Sequence, residues 1–167
     1  MSTRPELVVV CGLPGVGKST VSSLVTDVVD GVRLRSEVVR NELFEEPPYT
    51  EESREKVYEE LFERASSFLG GGTSVVVDAT FREHDRRLAA REVAHTADAR
   101  FRLLYVVCER EIAEERIATR DDISDADVEV YRDFRAAFDP VELDHDRVDN
   151  SGSLSQTRVR VESLFRD

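Results

Sequence analysis

Apolar residues recur along this chain in two forms, short unbroken runs and helical faces, and the two alternate. The runs at 7–10, 75–77 and 101–107 are continuous rather than alternating, as in strands covered on both faces of a parallel sheet. After the first run, Val21, Leu24, Val25, Val28 and Val29 recur at i, i+3, i+4, i+7 and i+8, one face of a helix. Val57, Leu61, Ala65, Phe68 and Leu69 line another helix, which Gly70-Gly71-Gly72 ends. Pro47-Pro48 breaks the preceding segment, and Thr50-Glu51-Glu52 reads as a cap followed by first-turn acids. Further helices are predicted over about 83–97, 109–120 and 124–137. Leu154, Val161, Leu164 and Phe165 mark a C-terminal helix, and weaker strands are predicted near 32–35 and 146–148. Such alternation predicts an α/β three-layer sandwich around a mostly parallel sheet. The 167 residues fit a single domain, 1–167, with a real core and no internal repeat, low-complexity segment or linker.

The first strand runs into Gly12-Leu13-Pro14-Gly15-Val16-Gly17-Lys18-Ser19, which matches the phosphate-binding loop G-x-x-x-x-G-K-[ST] in full. Given ordinary glycine usage, a chance match is expected in on the order of one chain in two hundred of this length. The flanking strand and helix make chance rarer still. Glycines let the backbone curl so that its N–H groups face the phosphates, and the following helix adds its positive dipole end. Lys18 would reach the β- and γ-phosphates, the Ser19 hydroxyl would ligate Mg²⁺, and Thr20 closes the nucleotide-contacting segment.

Charge narrows the picture. Thirty-five acidic residues stand against 23 basic ones, a net charge of −12. Lys18 and Lys56 are the only lysines. An acidic, lysine-poor surface fits a halophilic proteome, the alternative being an ordinary acidic cytosolic protein. The charge disfavours grip on long nucleic acid, which comes mainly from phosphate neutralisation. No run is long enough for a membrane span and the N-terminus has no apolar signal core, so a cytoplasmic monomer is expected. Cys11 and Cys108 each end an apolar run, and buried reduced thiols are preferred over a disulfide or metal site.

In a parallel sheet, ligands gather outside the C-terminal strand ends. Two further segments lie there. In Ser36-Glu37-Val38-Val39-Arg40, Glu37 could accept a proton from an acceptor hydroxyl while Arg40 holds substrate; the alternative is a surface ion pair between them. Asp78, ending the third strand, could bind Mg²⁺ or orient the acceptor; the alternative is a turn or capping Asp. Its neighbour is Ala79, where an ATPase motor would carry a water-activating Glu, and D-x-x-G and N-K-x-D are absent. Transfer to an acceptor other than water is thereby favoured. Arg116 and Arg120, four apart, either converge on a polyphosphate or belong to a solvated helix face.

With these segments, Arg116-Ile117-Ala118-Thr119-Arg120 and Asp149-Asn150-Ser151-Gly152 in order, the chain resembles P-loop kinases of the gluconate kinase, polynucleotide 5′-hydroxyl kinase and zeta-toxin group. It looks closest to the small stand-alone ATP-binding kinases found fused to aminoglycoside-phosphotransferase-like domains in some bacteria. The resemblance implies a five-stranded sheet of order 2-3-1-4-5 and a short helical lid over about 120–138. It also implies an acceptor over Ser36 to about Tyr58, transition-state stabilisation by Arg120, and Asp149 to Gly152 bordering the adenine. The relatives carry Asp where this chain has Glu37. The reading that emerges is a Mg²⁺-ATP-dependent kinase acting on a hydroxyl of a small molecule. The alternatives are a nucleoside or polynucleotide 5′-hydroxyl kinase, and a nucleotide-dependent switch or toxin-like regulator.

Crowded carboxylates repel most at low ionic strength, and screening shortens that repulsion. If the acidity reflects adaptation to salt, the melting temperature rises with KCl beyond about 1 M, where the screening length is only about 3 Å. A flat or falling thermal-unfolding curve would leave the acidity as ordinary solubility charge.

Overall fold

The computed structural model describes residues 4–45, 50–118 and 132–166. Strands β1 (Glu6–Cys11), β2 (Val32–Arg35), β3 (Val75–Asp78), β4 (Arg100–Val107) and β5 (Asp146–Asp149) form one parallel sheet of order β2-β3-β1-β4-β5. This is the 2-3-1-4-5 order expected above. The helices are α1 (Lys18–Val29), α2 (Ser36–Leu43), α3 (Glu51–Gly70), α4 (His84–Thr96), α5 (Arg110–Ala118), a stretch over 132–137 (α6), and α7 (Leu154–Leu164).

The pleat of β1 divides the core. Leu7, Val9 and Cys11 face a layer built by α2, α3 and α4, with Val39, Val57, Leu61, Ala65, Ala90 and Ala94 packed against them. Val8 and Val10 face the opposite layer, with Val21 and Val25 of α1 and Val161 of α7. Successive strand side chains point to opposite faces, so an unbroken apolar run is what a strand buried on both sides requires. α3 starts where the sequence places it, because Thr50 and Ser53 form a reciprocal capping box. The Thr50 side chain accepts from the Ser53 N–H, and the Ser53 hydroxyl accepts from the Thr50 N–H, each at 3.1 Å.

Two expectations about helix faces fail at their margins. Val28 is 40% exposed and Phe68 39%. In α1 the buried residues are Val21, Ser22 and Val25, so the inward face is rotated toward Ser22 and Val28 falls at its edge. The predicted helix from 109 to 120 is described as far as Ala118. Arg120, most of the predicted 124–137 helix and most of the expected lid at 120–138 lie outside the described residues, as do Pro47 and Pro48.

The side chain that joins the segment before α4 to residues 138–140 is Arg87 on α4, which is fully buried. Its Nε donates to the Phe81 carbonyl at 2.7 Å and its Nη1 to the Pro140 carbonyl at 3.0 Å. Nη2 donates to the carbonyls of Asp139 at 2.8 Å and Arg82 at 3.2 Å. The guanidinium also lies over the Phe138 ring, 4.9 Å from its centroid. Asp139 tightens the joint, its N–H donating to the Arg82 carbonyl and its Oδ2 accepting from the His84 N–H. A buried charge is tolerated only when its donors are satisfied. Here four carbonyls do that work.

Arg87→Ala orphans those carbonyls, each costing about 1–3 kcal/mol if it stays dry. The expected loss is about 3 kcal/mol or more, seen as a melting temperature lower by roughly 6–12 °C in circular dichroism. A change under about 2 °C would show that the four bonds are not worth what burial implies.

Candidate active site

β1 delivers the chain to the phosphate loop, and α1 begins directly after it with Gly17 as its N-cap in the left-handed region, φ 93°. Gly15 has φ 83°. Glycine is required at both positions for a second reason, which is space. A Cβ on Gly15 would come within 2.8 Å of the Ile117 side chain, and one on Gly17 would collide with Nδ2 of Asn150. The Gly12 N–H donates to the Thr80 carbonyl at 3.2 Å, tying the loop to the end of β3. Lys18 reaches back over the loop, its Nζ donating to the Leu13 carbonyl at 3.1 Å. Val16 is buried beneath the loop, while Ser19 and Thr20 are exposed on the first turn of α1.

Asp78 stands beside this turn. The sheet pairs it with Val10 on one side and Arg35 on the other. Its Oδ2 accepts from the buried Ser22 hydroxyl at 2.8 Å and lies 3.8 Å from Arg35 Nε. Arg33 completes the cluster, its Nη1 donating to the Ser19 carbonyl at 2.9 Å and to Ser22 Oγ at 3.3 Å. Asp78 is therefore held by side chains from α1 and β2 and not by a turn of its own. No group of three or more His, Cys, Asp or Glu able to hold a metal exists among the described residues. The hard oxygens of Ser19 and Asp78 do suit Mg²⁺, which typically takes one or two protein ligands plus phosphate oxygens and water.

Behind the loop sits Asn150, buried at the end of β5. Its Nδ2 donates to the Val16 carbonyl at 2.9 Å, and its Oδ1 accepts from Thr157 Oγ1 at 2.6 Å. Arg116 on α5 donates from Nη2 to the Asn150 carbonyl at 2.8 Å and from Nη1 to Cys108 Sγ at 3.5 Å. That Nη1 lies 3.7 Å from where a Gly17 Cβ would be. Hydrogen bonds from Ser151 hold the Asp149 carboxyl below its usual range. Both cysteines are free, as expected. Burial pushes the Cys11 thiol up to about 11 and shifts Cys108 upward too, so both are neutral thiols near neutral pH.

Opposite the loop, α2 and α3 build the other wall of a cleft of about 390 Å³. Pro14, Gly15, Gly17, Lys18, Ser19 and Asp78 line one side; Glu37, Arg40, Asn41, Arg54, Tyr58 and Phe134 line the other. α2 starts at Ser36, so Glu37 falls in its first turn and Arg40 in its last. Glu37 is 77% exposed and meets Arg35, its Oε2 lying 3.6 Å from Nη2. Arg40 Nη1 donates to Ser53 Oγ at 3.3 Å. The Tyr58 hydroxyl accepts from the Phe81 N–H at 3.0 Å, and burial pushes its pKa up.

The cleft thus gathers Lys18, Ser19, Glu37, Arg40 and Asp78. Arg116 and Asn150 brace the loop from behind, while Thr20 lies on the α1 flank. Arg120 lies outside the described residues. Sequence reasoning missed Ser22, Arg33 and Arg35. Only Ser22 carried a signal, a hydroxyl bordering the apolar face of α1.

This fold and loop define a P-loop nucleotide-binding architecture. Residues 7–141 match the AAA_33 family, an AAA domain, and the chain belongs to that family. Among solved structures, it is similar to the APS kinase of Mycobacterium tuberculosis bound to AMPPNP and APS (TM-score 0.76, 20% identity, 98% of this chain and 99% of that one). A gluconokinase from Sinorhizobium meliloti (0.75, 18%, 96% and 91%) and a sugar kinase from Janibacter (0.74, 18%, 95% and 93%) are similar too. Identities this low speak to the fold alone. An uncharacterized protein of Mycobacterium tuberculosis is 30% identical over 177 residues, covering 96% of this chain. The chain spans about 35% of the length of that relative. No helix among the described residues is long and apolar enough to cross a membrane.

Asn150→Ala removes the donor that fixes the Val16 carbonyl, so the loop pays an ordering cost on binding. Nucleotide affinity should fall about tenfold, roughly the 1.4 kcal/mol of one good hydrogen bond, by titration calorimetry. An unchanged Kd would confine Asn150 to joining β5 and α7.

Proposed function

We propose that this protein is a Mg²⁺-ATP-dependent kinase that transfers the γ-phosphoryl group to a hydroxyl of a small molecule. The observation that carries the reading is the cleft itself. It runs unbroken from the phosphate loop, past Asp78, to a wall of polar and aromatic side chains on α2, α3 and α6. A nucleotide on the loop and an acceptor against that wall would meet at Asp78. Phosphoryl transfer needs positioning and charge stabilisation more than covalent chemistry. One cleft with a cationic loop and a second binding wall supplies both.

Lys18, Ser19 and the loop N–H groups would hold the phosphates of ATP, with Mg²⁺ between Ser19 and Asp78; bound there, the pair supplies an activated phosphoryl group. Asp78, held by Ser22 and Arg35, would be the carboxylate that holds the metal. Glu37 is then the acceptor-side carboxylate. It takes the proton from the acceptor hydroxyl as that oxygen bonds to phosphorus and ADP departs. Arg35, 3.6 Å away, steadies Glu37, and Arg40 holds the acceptor. Arg116, close to Gly17, adds positive charge at the loop. Ala79 beside Asp78 has no group to activate water, which supports transfer over hydrolysis.

Lys18→Ala should cut acceptor-stimulated ADP release by about a hundredfold or more while melting at the wild-type temperature without nucleotide. Glu37→Gln should lower kcat by roughly 10²- to 10⁴-fold with the KM for ATP unchanged. Wild-type turnover in Glu37→Gln would move the base to Asp78. Rapid hydrolysis without any acceptor would make the protein an ATPase, and nucleotide-dependent protein capture without turnover would make it a switch.

A further inference from the structure

We propose that Arg33 is a positioning residue for Asp78: without touching the carboxylate, it decides where the Ser22 proton goes and so holds Asp78 in place beside the phosphate loop. The inference rests on the reading above in which Asp78 holds the metal, and it names the residue that readies that carboxylate.

The proton count is the first support. Ser22 is fully buried on α1, and its hydroxyl has a single proton with two acceptors in reach. One is the carbonyl of Ser19, three residues back, at 3.1 Å; the other is Asp78 Oδ2, at 2.8 Å. A hydroxyl inside a helix ordinarily turns back on the carbonyl of the preceding turn. Thr26 on the same helix does so, its Oγ1 donating to the Ser22 carbonyl at 2.6 Å. A Ser22 that followed it would give its proton to its own helix, and Asp78 would lose its hydroxyl donor.

Arg33 removes that choice. Its Nη1 carries two protons and makes two bonds with them, to the Ser19 carbonyl at 2.9 Å and to Ser22 Oγ at 3.3 Å. The shorter bond fills the carbonyl with a charged donor, against which a hydroxyl competes poorly. The longer one takes a lone pair of Ser22 Oγ, so the oxygen turns its electrons to the guanidinium and its proton to Asp78.

Strand register brings these groups together. β2 pairs Arg33 with Val76 and Arg35 with Asp78, and Val76 packs in the α1 layer. Alternate strand residues share a face, so Asp78 and both arginines stand on the α1 side. Arg35 meets Asp78 directly but at 3.8 Å, which leaves the Ser22 bond as the tighter hold. Arg33 lies on the outer flank of α1 with Ser19, Thr20 and Ser23, and it is not among the residues that line the cleft. Its reach into the site therefore runs through Ser22.

Calorimetric titration of ADP, with Mg²⁺ and in EDTA, separates positioning from direct binding. Wild-type protein should bind ADP more tightly with Mg²⁺. In Arg33→Met and in Ser22→Ala that gain should shrink about tenfold, a usual cost of losing an outer-shell partner, with the metal-free Kd within twofold. Arg33→Lys, whose ammonium also has protons for both oxygens, should recover part of the gain. Arg33→Met added to Ser22→Ala should cost nothing more. An equal loss with and without Mg²⁺ would make Arg33 a phosphate ligand, an unchanged gain would make it a brace of the sheet edge, and a further loss in the double variant would give it a route other than Ser22. Each of these overturns the proposal. If Mg²⁺ gives wild-type protein no gain, the metal reading fails, and Arg33 is judged by urea unfolding of the nucleotide-free protein. Ser22→Ala and Asp78→Asn should then shift the midpoint non-additively in wild-type protein and additively in Arg33→Met, which sustains the proposal. Coupling that persists without Arg33, or no coupling at all, overturns it.

Discussion

The parallel register of β2, β3 and β1 is the constraint on which the site depends. It sets Arg35, Asp78 and Val10 level across three strands, at about 4.8 Å per step. The chain leaves β1 for the phosphate loop one residue after Val10, so the carboxylate of Asp78 is bound to stand beside that loop. Ser22, one turn into α1, then has Asp78 within hydrogen-bond reach. A slip of one residue would send Asp78 to the other face of the sheet and leave the loop without a carboxylate. The register is secured in turn by burial: β1 and β3 have apolar side chains on both faces, and neither layer can accept a polar one in exchange.

Much of this was legible in the sequence, because local spacing encodes it. The loop motif, the unbroken strand runs and the cap at Thr50 are short-range patterns, and each forms the structure its chemistry favours. Relations between elements were less legible. Glu37 and Arg40 are three apart and do lie on one helix. Yet Glu37 meets Arg35, because α2 begins immediately after β2 and the last strand residue lies alongside its first turn. Ser22 borders an apolar face, and nothing in its own neighbourhood says that a carboxylate 56 residues away needs its hydroxyl. Arg87 is less legible still. An arginine within a charged helical stretch, DRRLAAR, reads as solvated, and two of the four carbonyls that let it turn inward come from the distant return at 139–140.

The protein uses its two kinds of positive charge differently. Lys18 is a flexible ammonium at the loop, able to leave the Leu13 carbonyl for a ligand oxygen. Several of the arginines are structural forks. Arg87 binds four carbonyls, Arg116 ties α5 to Asn150, and Arg33 joins Ser19 to Ser22. A guanidinium with five donors can join backbone segments that share no hydrogen bond of their own.

The capping box at the start of α3 has a consequence for how such a cleft can change over time. Thr50 and Ser53 satisfy each other, so the helix starts at the same residue whatever precedes it. Insertions, deletions or replacements between α2 and Thr50 can therefore change the chain ahead of α3 without turning Arg54 or Tyr58 away from the cleft. The phosphate loop and Asp78, fixed by the sheet register, are insulated from such edits. The molecule separates a part that evolution must keep from a part that it is free to rewrite, and the boundary between them is a single hydroxyl pair.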